Sequence, residues 1–201
     1  MKSAEKYALR FSKAMKTLGR GDHKKLGAAF LRRYSAYLDS EEYKTFRDKY
    51  PSIGADKVYI GITFAEIMTK IGYTLDEALR VWEDVFMADK KRKINRLIRL
   101  IDTLGLGYKV ASNWLDKDKQ ARDNDGSILY EYYRFGAREL EYKIHTCAYV
   151  DLFERHGIRK FCKAFCNNDL CMCALRKSAR FIRYSDLANG DCCHDKLVNL
   201  S

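Results

Sequence analysis

Residues 128–147 read ILYEYYRFGARELEYKIHTC, and this stretch decides the fold. Ile128 to Phe135 is crowded with aromatic and aliphatic residues that suit a pleated surface. Gly136-Ala137-Arg138 offers a turn, after which Glu139–Cys147 alternates with period two. Leu140, Tyr142 and Ile144 share one face; Glu141, Lys143, His145 and Cys147 share the other. The pattern predicts an antiparallel hairpin with His145 and Cys147 on the same, non-apolar side.

Downstream, Tyr149–His156 reads as a helix stopped by Gly157. Ile158 to about Leu175 reads as a second helix, with Ile158, Phe161, Cys162, Phe165 and Cys166 as its apolar stripe. Arg180–Asp186 is a predicted strand. Ala188-Asn189-Gly190-Asp191 carries the Asn-Gly hairpin signal, and Cys192–Leu200 is the closing strand.

Upstream the period is helical. Tyr7, Phe11, Ala14, Met15 and Leu18 define a helix over 3–18. Asp22 is placed to cap the next, which runs to Leu38 with Leu26, Ala29, Phe30, Arg33 and Tyr37 on one stripe. Asp39 and Glu42 suggest a capping box for a short helix ending at Lys49. Lys57–Thr63 is rich in β-branched residues but runs unbroken into FAEIMTKI, so one helix is predicted over 56–71. Thr74 and Glu77 form a second capping box. A helix over 89–104 pairs an apolar side (Ile94, Leu97, Ile98, Ile101, Leu104) with Lys90, Lys91, Arg92, Lys93, Arg96 and Arg99. A last helix covers 107–121, before the turn signal Asp123–Ser127. The expected fold is therefore α+β: a helical portion (1–122), then a ββααββ antiparallel four-stranded sheet portion (123–201), together forming one compact unit.

The chain carries 38 Lys and Arg against 27 Asp and Glu, for a net charge of +11. Residues 1–104 hold 22 of those cations and 14 of the anions; residues 105–201 hold 16 and 13. The basic excess thus lies away from the cysteines. The 90–99 run lacks aromatic interleaving, zinc-finger spacing and a recognition-helix turn, so a solvated helix face is favoured over a nucleic-acid partner. No segment approaches the roughly 18 apolar residues of a membrane span, so no membrane partner is expected. The N-terminus lacks an apolar signal core, which points to a cytoplasmic protein. A homodimer stays open.

All seven cysteines fall between Cys147 and Cys193. In a reducing compartment such a group reads as free thiols, metal ligands or catalytic groups. Cys162, Cys166, Cys171 and Cys173, with Cys192, Cys193 and His194, offer soft ligands for zinc or an iron–sulfur cluster. Their spacing matches no standard C-x2-C pair, and no cofactor is assigned. Buried thiols also serve as small core hydrophobes.

The order of landmarks is Thr146-Cys147, then Phe165-Cys166-Asn167-Asn168-Asp169, Arg183, Leu187-Ala188-Asn189-Gly190 and Cys192-Cys193. In this order the chain resembles the L-2-amino-thiazoline-4-carboxylic acid hydrolase family, itself distantly similar to vinyl-reductase-type small-molecule-binding domains. The resemblance covers about residues 128–200. Where the family closes with Cys-Asp-Phe, this chain has Cys192-Cys193-His194-Asp195-Lys196. The resemblance implies a hydrolase that opens a cyclic amidine to N-carbamoyl-cysteine, acting on a small-molecule substrate. It makes Cys147 the candidate nucleophile or proton donor and His145 a candidate base. Cys166, Asp169 and Cys193 become further candidate catalytic residues, and Arg183 the candidate partner of the substrate carboxylate. A non-catalytic, sensor-like binding module and a zinc-binding module are the alternatives.

Overall fold

The computed structural model describes residues 2–19, 21–166 and 175–201, with backbone alone for residues 2 and 3. The fold is α+β, with helices first and an antiparallel four-stranded sheet last. The chain divides into two compact units. One is Met1–Ala88 with Phe153–Ala164; the other is Asp89–Leu152 with Phe165–Ser201.

The first unit holds α1 (Lys2–Thr17), α2 (His23–Leu38), α3 (Glu41–Lys49), α4 (Ala55–Lys70) and α5 (Leu75–Val81). α4 is its centre: eleven of its sixteen residues are buried, on every side of the helix. That explains the β-branched run at 57–63. A helix surrounded by neighbours needs apolar residues all round, and burial overrides strand propensity. Phe64 of α4 packs its ring 5.1 Å from Trp82 and 5.9 Å from Phe161, and Phe11 stacks on Phe30 at 4.9 Å. α1 and α2 meet at Gly27, where an added Cβ would lie 2.9 Å from Ser12 Cβ.

Capping follows the sequence with one correction. Asp22 accepts from the amides of Lys24 and Lys25, and both arms of the Thr74–Glu77 box are formed. The cap of α3, however, is Ser40, which accepts from Tyr43 N; Asp39 instead ends α2. On α2 it is Tyr34 that is buried, with Phe30 and Tyr37, while Arg33 is exposed. α5 continues into a π-helical turn, Trp82–Phe86, closed by Met87 N donating to Trp82 O.

The second unit holds α6 (Ala88–Thr103), α7 (Gly107–Asp125), β1 (Ile128–Phe135), β2 (Glu139–Cys147), the first residues of α8 (Ala148–Arg155), β3 (Ala179–Ser185) and β4 (Cys193–Asn199). Strand order is β1-β2-β4-β3, antiparallel throughout. α7 runs four residues past its expected end, because Gly126 at φ 64° supplies the left-handed cap that the Asp-Gly signal had marked as a turn. It packs on β1, β3 and β4.

One buried carboxylate ties α6 and α7 to the start of β3. Asp102 accepts from the amides of Arg176, Lys177 and Ser178 and from Ser178 Oγ at 2.8 Å. Ser178 Oγ in turn accepts from Gly107 N at 2.9 Å. Gly107 is required here: a Cβ would lie 2.4 Å from Ser178 Oγ. Burial pushes Asp102 up, yet the amides and hydroxyl outweigh it and hold its carboxyl down at about 2.

The helix expected over 158–175 begins as a 3-10 turn, Arg159–Cys162, and continues as α9, Lys163–Cys166. Residues 167–174 lie outside the described residues, and with them Asp169, Cys171 and Cys173.

Candidate functional site

Three of the cysteines that carry the resemblance come from three elements of the second unit. Cys147 ends β2, Cys166 ends α9 and Cys193 begins β4. Charge on Cys166 acts to raise the pKa of both Cys147 and Cys193, and Cys147 also acts on Cys193. Cys147 stands just before α8, where the backbone amides of Tyr149 and Val150 act to lower its pKa. Such amides favour a thiolate, but burial outweighs them and pushes the Cys147 thiol up to about 12. Cys193 is likewise pushed up to about 12 by burial, although Leu187 N donates to its sulfur at 3.3 Å. Both are therefore protonated thiols at neutral pH. Cys166 is half-buried.

Aromatic and charged groups surround this group of thiols. Tyr149, beside Cys147, stacks on Phe165 at 6.0 Å, and the guanidinium of Arg122 lies 5.4 Å from the Tyr149 ring centre. Arg122 is paired along α7 with Asp118 at 3.0 Å.

Arg183 is already committed to a carboxylate of the chain. Its Nε and Nη2 meet both oxygens of Asp195 at 2.8 and 2.9 Å, and Nη1 donates to Cys166 O at 3.1 Å. Asp195 also accepts from Tyr142 Oη at 2.9 Å and is 1% exposed, so this is a buried, bidentate pair. The register explains it, since Arg183 lies directly opposite Asp195 across β3 and β4. The contact places Arg183 against the backbone of a site cysteine, where it positions Cys166.

The structure does not place His145 with Cys147. His145 is exposed, its Nε2 on Glu131 and its Nδ1 3.3 Å from Asp191 O. Cys147 is buried, because β2 ends there and the onset of α8 breaks the alternation that put both side chains on one face. Around His145, the outward side of the sheet carries a separate polar network. Glu141 accepts from Tyr132 at 3.0 Å and lies 2.9 Å from His194 Nε2, and contacts to Arg134 and Lys196 complete it. The His194 contact, with Tyr132 and Lys196, draws the Glu141 carboxyl down to about 2. Cys192 is half-buried, its sulfur 3.4 Å from Ser185 Oγ. The adjacent cysteines of the terminal landmark thus divide, with Cys193 buried and Cys192 half-buried against Ser185.

A second polar cluster, in the first unit, carries no sequence motif. His156 lies between Glu66 (Nδ1 to Oε1, 3.6 Å) and Glu42 (Nε2 to Oε2, 3.4 Å), with Tyr37 Oη 3.3 Å from Nδ1. Tyr59, fully buried, stands edge-on to His156, and its hydroxyl has no hydrogen-bond partner among the described residues. Burial pushes Glu66 up, but His156, Arg33 and Tyr37 hold it at about 2. The only sequence signal was a histidine next to a glycine stop, which marks a helix end as readily as a site.

Among the described residues, no three His, Cys, Asp or Glu side chains are grouped as a metal-ligand set. No family model, curated protein or solved structure matches the chain.

Proposed function

We propose that this protein is a hydrolase of a small cyclic amidine such as 2-amino-thiazoline-4-carboxylate, working at the thiols of the second unit. One observation carries the reading: Cys147, Cys166 and Cys193, the cysteines named by the family resemblance, lie on three elements of one unit, with Cys166 held by Arg183 of β3 next to β4, the strand that Cys193 begins. The protonated state of Cys147 selects its role. A thiol held at about 12 is a poor nucleophile, so water attacks the ring carbon between nitrogen and sulfur. The carbon–sulfur bond breaks, the carbon becomes a carbonyl, and the departing sulfur takes a proton from the Cys147 thiol, which regains one from the attacking water. The product is N-carbamoyl-cysteine, and one water is consumed.

His145 has no part in this scheme, and Arg183 acts on Cys166 and the sheet instead of on the substrate carboxylate. The reaction needs no cofactor. Cys147, Cys192 and Cys193 are free thiols, which favours a reducing, cytoplasmic setting.

A second reading, a non-catalytic module that binds carboxylated heterocycles, is favoured by the same burial: both thiols are neutral and Arg183 is internally neutralised. Incubation with the thiazoline, followed by mass spectrometry of N-carbamoyl-cysteine, separates the two. Product formation supports the hydrolase. A rise in melting temperature without product supports the binding module. Neither result removes both.

A further inference from the structure

Helix α6 spans sixteen residues and buries only one of them, Asp102. A helix of this length is marginal in water unless its apolar face is packed. Here Leu97, Leu100 and Leu104, at i, i+3 and i+7, are 58, 57 and 63% exposed. The sequence pattern predicts an apolar side for packing, and the chain leaves much of it open. Beyond the Gly105 turn, α7 repeats the arrangement with Leu106, Val110 and Trp114, at i, i+4 and i+8, all exposed. Isolated exposed leucines are ordinary; six large apolar side chains within eighteen residues are not.

Charge selects the occupant. Lys90, Lys91, Arg92, Lys93, Arg96 and Arg99 are all exposed on the same helix. Arg99 also shares an open notch with Arg176 and Lys177 from the start of β3. A second copy would set these cations against their equals. Phosphate contact with nucleic acid would use the cations and leave the leucines in water. An anionic lipid surface satisfies both, with leucines and Trp114 in the acyl boundary and cations at the headgroups.

We propose that α6 and the start of α7 form a docking face for anionic membrane surfaces. No helix among the described residues is long and apolar enough to cross a membrane, and this attachment requires none. It is independent of the thiol chemistry.

The test is co-sedimentation of the full chain with vesicles of phosphatidylcholine alone and of phosphatidylcholine mixed with phosphatidylserine. The wild type is expected to sediment with the mixed vesicles, to stay largely in solution with phosphatidylcholine alone, and to be released by high salt. Trp82 is buried and Trp114 is not, so a blue shift of tryptophan emission on binding reports Trp114. Replacing Leu97, Leu100 and Leu104 together by serine weakens binding about tenfold or more, with unchanged circular dichroism. Arg92→Gln with Arg96→Gln, which touches no core residue, lowers binding independently. Wild-type protein left in the supernatant with the mixed vesicles overturns the proposal. So does a leucine variant that binds equally well, or one whose sole change is a shift from dimer to monomer.

Discussion

At the residue scale, the chemistry turns on whether Cys147 is a thiol or a thiolate. Two effects oppose each other there. The amides of Tyr149 and Val150 at the start of α8 pull the pKa down, while burial and the neighbouring Cys166 push it up, and burial wins. Brief alkylation of the native protein at neutral pH should therefore leave Cys147, Cys162 and Cys193 unmodified and label the half-buried Cys192 first. Peptide mass spectrometry reads this directly, and rapid labelling of Cys147 would contradict it. Arg183 and Asp195 raise a related question of burial. Asp195→Ala strands a guanidinium beside the sheet core, and a loss of about 3–5 kcal/mol in urea unfolding is expected. A loss well below about 1 kcal/mol would mean the pair is solvated.

At the element scale, the Asp102 clasp holds two helices to β3 with one carboxylate. Asp102→Ala leaves buried donors unpaired and should cost about 2–4 kcal/mol, measured by urea unfolding. The hairpin, the closing strands and most helix limits were legible because each carries a local signal: period-two alternation at 139–147, the Asn-Gly turn, and the Thr74 capping box. Ser40 displaced Asp39 as a cap by one residue, a shift that spacing alone cannot resolve when both residue types cap well. The candidate site was less legible. Cys147, Cys166 and Cys193 could be named from landmarks, but the pairing of Arg183 with Asp195 depends on strand register. The separation of His145 from Cys147 depends on where β2 gives way to α8. Both are decided by tertiary structure. The Asp102 and His156 clusters left no spacing signal, because their partners lie far apart in the chain, from 74 residues for Asp102 and Arg176 to 119 for Tyr37 and His156.

At the scale of the whole molecule, both units rest on carboxylates held below their ordinary range: Glu66 in the first, Asp102 and Glu141 in the second, each at about 2. Their ordinary values are 4.5, 3.8 and 4.5, so the stability they contribute is present above those values and is lost as pH falls through about 2. The urea midpoint should accordingly be level from neutral pH to about 5 and fall steeply between about 4.5 and 2. A midpoint independent of pH over that window would show that these carboxylates titrate normally. The most direct test of the proposed function is the turnover of 2-amino-thiazoline-4-carboxylate by wild-type protein and by Cys147→Ser, with released N-carbamoyl-cysteine measured for each. Turnover by the wild type and a fall of about a hundredfold or more in the variant are expected, as for loss of a proton donor. Equal turnover by the two proteins would contradict that role.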